Sequence, residues 1–472
     1  MRRRRERYAT GLSTEKFMII SAFILMLGSA AVCLASLRSM RGDAIGLPLV
    51  AIGTFIFLYA VQPLMLLESG DAGAFLTKRQ FAWAMIVPAV MLPCFVWGWN
   101  RERPRFRLKR RAPWNPVALW NFGFVTAVIG LSFYIVFLHR SGGIVHAFSK
   151  AHGEAMAWQG NSAYLYGGMW WVVSGEAMMM FASSRFKVGG WRRAAFILLI
   201  AAYLADGLLT SSRGALFSGC AAIFAGLSIS RRKLPSLRQA FALLTVLGFG
   251  ALMMVGYRGV LHLGNNGQQA PSFWKALDAS SAVGATSVAH DTTGMEFVVS
   301  GAILSTVDQM QKYDLGLRWI YFLALNPIPR LLWPGKHYPK SPGITNVDIR
   351  ELTGLRTDSG FAPGIVGNVY VEFGLGEAIF FYWFGRLSRR LFAAAWLFQS
   401  LISFCAYVML YALSLNIFAQ GFNTLFVGFG YSMIPVVLYA LVSRVGRRQA
   451  TAFAGRPEFP GLPEKGHVQC SS

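Results

Sequence analysis

The chain has 472 residues, 54% of them hydrophobic and 14% aromatic, with a mean hydropathy of +0.44. Only 14% are charged, against roughly a quarter in soluble domains, which excludes a soluble enzyme or binding module. The formal net charge of +24 would suit a nucleic-acid binder, but most basic residues flank apolar stretches, where they set topology and touch anionic lipid, so no nucleic-acid partner is expected.

Apolar windows of about 18 residues or more are long enough to cross a hydrocarbon core. The alternation of a transmembrane barrel is missing. The expected fold is an all-α polytopic membrane protein with about 11 (10–12) transmembrane helices. In chain order, a basic segment (1–16) carries Arg2, Arg3, Arg4 and Arg5. Phe17–Leu37 follows and is long enough to remain as a span rather than a cleaved signal. Further spans are expected near Ile45–Leu67, Phe81–Trp99, Val117–Leu138, Ala163–Ala182 and Ala194–Leu209. A tight turn at Thr210-Ser211-Ser212-Arg213-Gly214 leads into a seventh, ending near Ile229, and an eighth near Ala240–Tyr257 closes the first block (17–257). A large loop (258–363) comes next. Spans near Gly364–Phe384, Phe392–Leu415 and Thr424–Val442 make up the second block (364–448), and 449–472 is a polar tail, expected to be cytoplasmic and disordered.

From the fourth span onward, alternate connections are rich in Lys and Arg, as cytoplasmic loops are. This places 258–363 outside the cytoplasm and the C-terminus inside. The basic segment from Arg101 to Arg111 is the strongest cytoplasmic marker, yet three spans before it would put Arg2–Arg5 outside. The pattern leaves open whether one early segment fails to cross or a further crossing is hidden.

Ionisable residues inside spans are costly and usually functional. Asp206 stands late in the sixth span, seven residues before Arg213. On a continuing helix the two share a face, so Asp206 could hold Arg213 at the mouth of a helix pair, either as a structural ion pair or as part of an anion site. The loop is basic where it nears the membrane: Arg258, Arg318, Arg330, Lys336 and His337. Guanidinium forks suit phosphate, although a basic loop on lipid headgroups has the same composition. Asn368 and Glu372 are four apart at the start of the ninth span and share a helical face, with Tyr370 pointing elsewhere. Glu372 could act as a general base towards a hydroxyl, with Asp358 and His337 as rivals, or could be a satisfied polar contact.

Pro329-Arg330 with Trp333-Pro334 and Lys336, then Gly367-x-x-Tyr370-x-x-Phe373-Gly374-x-Gly376, resemble the oligosaccharide repeat-unit polymerases of the O-antigen polymerase type. The Ser-Arg-Gly turn and the single large loop in the second half are similar too, and the resemblance covers about Val117 to Phe384. It departs in one place: where that family often has Glu before the Tyr and Asn before Phe-Gly, this chain has Asn368 and then Glu372. The resemblance implies a membrane-embedded glycosyltransferase at the outer face of the bacterial inner membrane. It would join undecaprenyl-diphosphate-linked oligosaccharides into O-antigen, capsule or exopolysaccharide. Arg213 and Arg330, then Arg258, Arg318 and Lys336, would hold the diphosphate, with Asp206, Asn368 and Tyr370 in support. Neither cofactor nor metal is implied, and the sequence has no Asp-x-Asp and no His-Glu-x-x-His. Expected partners are the bilayer, the lipid-linked oligosaccharide, a chain-length regulator and a flippase. Two alternatives stand beside this reading: a lipid-linked oligosaccharide flippase or other transporter, and an O-antigen ligase-like transferase.

Overall fold

The first helix, α1 (Arg2–Arg38), carries on through the basic segment into the first apolar span without a break. A computed structural model describes residues 2–38, 46–69, 76–102, 115–141, 162–209, 213–233, 295–325, 328, 333, 342–355, 362–398 and 400–454; Arg213 is described in its backbone only. Within these residues all regular structure is helical. The elements are α2 (Leu47–Ile56), a π turn (Phe57–Val61), α3 (Gln62–Ser69), α4 (Lys78–Arg101), α5 (Pro116–Arg140), α6 (Ser162–Tyr166), α7 (Gly168–Ser183), α8 (Gly190–Leu209) and α9 (Arg213–Arg231). They continue with α10 (Met295–Met310), α11 (Leu317–Leu325), α12 (Asn346–Thr353), α13 (Gly364–Phe373), α14 (Glu377–Phe398), α15 (Leu401–Gln420) and α16 (Asn423–Ala454). Among the described residues, eight helical stretches are long and apolar enough to cross a membrane: 17–37, 47–68, 78–101, 116–140, 214–231, 364–396, 401–420 and 423–443. The protein is a polytopic helical membrane protein.

Helix starts follow local chemistry. Thr77 caps α4 in a capping box: its hydroxyl accepts from the Gln80 N–H while the Gln80 amide oxygen accepts from the Thr77 N–H. Asn115 caps α5 by accepting from Val117 and Ala118 N–H, with Pro116 at the first helical position.

Contacts fix helix directions. Ser29 donates to the Ala89 carbonyl and Asn100 donates to the Ser36 hydroxyl, so α1 and α4 run parallel and α2–α3 returns between them. α14 also runs with α4: Gly385 packs on Phe95 and Trp99, and Arg386 and Arg390 both reach Glu102, at 2.7 and 2.6 Å. α5 and α7 run antiparallel and very close, with Gly123 on Gly175 and Gly130 on Gly168. One end of the bundle, the basic end, gathers Arg386, Arg389 and Arg390 with Glu102 and Trp99, and Arg192 over Trp120. Burial pushes the Glu102 carboxyl up, but the hydrogen bonds and charges of Arg390 and Arg386 outweigh it and hold the group below its ordinary value. Phe418, near the end of α15, meets Phe95 and Phe384, and Phe381, near the start of α14, meets Phe55. Because α1 runs parallel to α4, its first turns lie at the end of the bundle opposite Arg101.

Two features differ from the sequence reading. Residues 258–363 contain α10, whose residues 297–307 are almost all buried against α4, the π turn and α13. Sixteen residues are too few for a hydropathy window to register. The ninth span is also not continuous: Gly374, at φ +54 and ψ −135, ends α13 and a 3₁₀ turn restarts the chain as α14.

Candidate functional site

Short, buried α13 carries the polar residues singled out in the sequence. Its first nine residues are all buried, so each polar side chain there needs a partner. Gly364 opens the helix at φ +66, against the Tyr59 hydroxyl, where no side chain fits. Asn368 accepts from the Phe422 N–H at 3.0 Å, which pins α13 to the α15–α16 turn. Tyr370 donates to Asp308 on α10 at 2.5 Å. Glu372 is fully buried; its Oε2 accepts from the Gly316 N–H at 2.9 Å and its Oε1 has no hydrogen-bond partner. Asn368 and Glu372 therefore share a helix face but bond to different loops.

The turn 311–316 builds the floor around Glu372. The N–H groups of Asp314 and Leu315 cap the last carbonyls of α13, those of Val371 and Glu372, at 3.0 and 2.9 Å. Gln311 and Leu315 both sit at φ +52, and Gly316 follows at φ +81. Two non-glycine residues in the left-handed region within five positions is backbone strain of the kind found at functional sites. Asp314 accepts from the Gly343 N–H at 2.6 Å and pairs with Arg318 at 3.3 Å. Burial raises the Asp314 pKa, and the Arg318 charge and the Gly343 N–H pull it back part of the way. Among the described residues, Asp314 and Arg318 are the charged groups facing Glu372. Trp319, the next residue on α11, is wedged among Phe373, Phe380, Phe422 and Phe426, with ring centroids 5.0 to 6.0 Å from its own, which fixes α11 against the elbow.

A second feature opens where α15 ends. Two adjoining cavities of about 290 and 180 Å³ share Trp170, Asn416 and Gln420. The larger adds Asn423, Thr424 and Phe322 of α11, and the smaller adds Tyr166, Tyr203 and Asp206. Asp206 accepts from the Tyr134 hydroxyl. Gly214, the residue after Arg213, packs on the Asn416 amide. The Asp206–Arg213 region thus borders a pocket of amides, hydroxyls and aromatic faces.

Of the residues expected to act, Glu372 and Arg318 lie around one turn, Asn368 and Tyr370 hold α13 in place, and Asp206 lines the neighbouring cavity. Arg258, Arg330, Lys336, His337 and Asp358 lie outside the described residues. Sequence reasoning missed Asp308, Asp314, Asn416, Gln420 and Asn423. An acid in the middle of a loop gives no pattern, and the amides stand at the rims of apolar spans, where hydropathy counts them as noise. No family model matches the chain, and no curated protein or solved structure is detectably similar to it.

Proposed function

We propose that the protein is a membrane-embedded, metal-independent glycosyltransferase. It polymerises undecaprenyl-diphosphate-linked oligosaccharide units at the outer face of the bacterial inner membrane. Eleven spans are counted in this reading, with 258–363 and the end bearing Glu372 facing the periplasm. The observation that carries it is the Glu372 carboxyl: buried, held by one backbone N–H, with its second oxygen unbonded, beside the Asp314–Arg318 pair.

In the reaction, an acceptor sugar hydroxyl attacks the anomeric carbon of the chain on the donor lipid. The new C–O bond forms as the bond to the diphosphate oxygen breaks, and the diphosphate leaves with the electron pair. Glu372 takes the hydroxyl proton. Arg330 and Arg213, supported by Arg258 and Lys336, stabilise the charge on the leaving diphosphate. Arg318 is tied to Asp314 and acts on Glu372 rather than on phosphate. The amide-rich cavity suits a saccharide: Asn416, Gln420 and Asn423 each donate and accept, and Trp170 offers a stacking face.

Deleting the gene tests the reading. The expected result is loss of long surface polysaccharide while single repeat units are still exported. Arg330→Ala should abolish polymer at normal protein abundance, and Arg330→Lys should restore only part of it, because a point charge does not reproduce the fork. Normal polymer from Arg330→Ala overturns the diphosphate assignment. The interrupted α13–α14 pair and the buried, unbonded carboxyl of Glu176 favour a second reading, a transporter for the same lipid-linked sugar. For that reading, the deletion strain would export no repeat units at all.

A further inference from the structure

The outward surface of the α4–α14 pair carries two exposed strips that meet at the basic end. The two helices run in backbone contact, Gly98 on the Tyr382 carbonyl and Gly385 on the Phe95 carbonyl, so their outward faces adjoin. On α4 the exposed residues Val90, Trp97 and Arg101 stand seven and then four positions apart, which keeps them on one face. On α14 the exposed residues Ile379, Trp383, Leu387 and Arg390 follow at spacings of four, four and three, again one face. Trp97 and Trp383 are 60% and 52% exposed. The Tyr382 ring joins them, with its centroid 5.2 Å from Trp97 and 6.0 Å from Trp383. Both helices belong to stretches apolar enough to cross a membrane, so the strips face lipid.

Each strip ends in arginine, around one acid. Glu102, the residue after α4, accepts from the Nε of Arg386 at 2.7 Å and from the Nε of Arg390 at 2.6 Å. The Arg386 guanidinium also lies 4.8 Å over the Trp383 ring, so the charged cluster and the aromatic patch are continuous. A guanidinium has further N–H donors beyond its Nε. Arg101, Arg386 and Arg390 gather at a single carboxylate, an excess of two positive charges among the described residues. The sequence after Glu102 adds Arg103, Arg105, Arg107, Lys109, Arg110 and Arg111 and no acid. An apolar strip that ends in tryptophan and surplus guanidinium is complementary to acyl chains below an anionic head. A zwitterionic head brings its own ammonium beside the phosphate and gains less there.

We propose that Arg101, Arg386 and Arg390, with the Trp97–Tyr382–Trp383 patch, form a site for one anionic phospholipid. Its acyl chains lie along the Val90 and Ile379 strips, and its phosphate accepts from the guanidinium groups. Bound there, the lipid ties α4 to α14 from outside the bundle and competes with Glu102 for Arg386 and Arg390. The site requires nothing of glycosyl transfer.

The test is native mass spectrometry of the full chain in a neutral detergent, titrated with phosphatidylglycerol or with phosphatidylcholine. An arginine beside a lipid phosphate is worth about fivefold in affinity. The first phosphatidylglycerol should therefore bind about tenfold or more tighter than the first phosphatidylcholine. Combining Arg101→Gln with Arg390→Gln leaves Arg386 balanced by Glu102 and should bring the two lipids level. Glu102→Gln releases Arg386 and Arg390 and should tighten phosphatidylglycerol by about fivefold, a gain that misfolding cannot mimic. Arg193→Gln removes an exposed arginine of α8 and should leave both affinities as they are. Equal binding of the two lipids by the native chain overturns the proposal, as does a preference that survives the double variant. Unchanged or weaker phosphatidylglycerol binding in Glu102→Gln overturns it too. An equal loss in Arg193→Gln would mean that diffuse surface charge, not this site, holds the lipid.

Discussion

Glu372→Gln separates chemistry from stability at the proposed base. The new amide oxygen still accepts from the Gly316 N–H, so the 2.9 Å bond survives. The second oxygen, unbonded in the native protein, becomes an unbonded NH₂, and the repulsion from Asp314 disappears. These changes largely cancel, and the net stability cost is about 1 kcal/mol or less. Loss of a general base lowers the rate by roughly 10² to 10⁴, or about 3 to 5 kcal/mol of barrier. Membrane abundance should therefore stay near native while polymer per molecule falls at least a hundredfold by the same estimate. Asn368→Ala is the contrasting case. It strips the acceptor from the buried Phe422 N–H and costs about 1–3 kcal/mol, so abundance drops while polymer per molecule holds. The assay is a polysaccharide ladder on a gel, normalised to protein in the same membranes. A native ladder from Glu372→Gln, with polymer lost in His337→Ala or Asp358→Asn, would move the base into the loop and refute the assignment.

Topology gives a second prediction: fusions at the two termini should report opposite sides of the membrane. In a background without native cysteines, a cysteine replacing Ser341 should react with an impermeant thiol reagent on the side of the N-terminal fusion. Gly123→Ala would place a methyl 2.8 Å from the Gly175 carbonyl. Separating α5 from α7 by a few tenths of an ångström should cost about 1–3 kcal/mol, read as a lower unfolding temperature. Glu102 has a folded pKa below its unfolded one. Its contribution is present above the unfolded pKa and fades as pH falls through the folded pKa. Stability should thus drop on acidification, and Glu102→Gln should flatten that limb. The effect should be about 1–2 kcal/mol at most, since Arg386 and Arg390 are partly exposed.

Hydropathy made the long spans legible because each is a run of apolar residues whose boundaries are charged. It could not reveal α10, which is buried by neighbours rather than by length, nor the break at Gly374, which a window averages away. The motif around Tyr370 was visible as a pattern, but the partner of each residue was not: Tyr370 bonds to Asp308 more than sixty residues earlier. Asn368 and Glu372 lie on one face, as spacing dictates, yet tertiary contacts send each to a different loop. The cavity residues stayed hidden because amides at span ends also serve as ordinary rim residues, and only the approach of α15 to α7 and α9 gives them a shared space.

The direction of α1 bears on how the chain is made. Its N-terminal turns emerge at the end opposite the arginines of the 386–390 segment. On the proposed orientation, biosynthesis must carry the segment of Arg2, Arg3, Arg4 and Arg5 out through the bilayer before α2 and α4 can follow. The membrane potential opposes that transfer by about 2.3 kcal/mol per charge for each 100 mV. Insertion of the first hairpin is then the uphill step of assembly. It should depend on a translocation factor that accepts a cationic segment, and removing those arginines should speed insertion without altering the finished bundle.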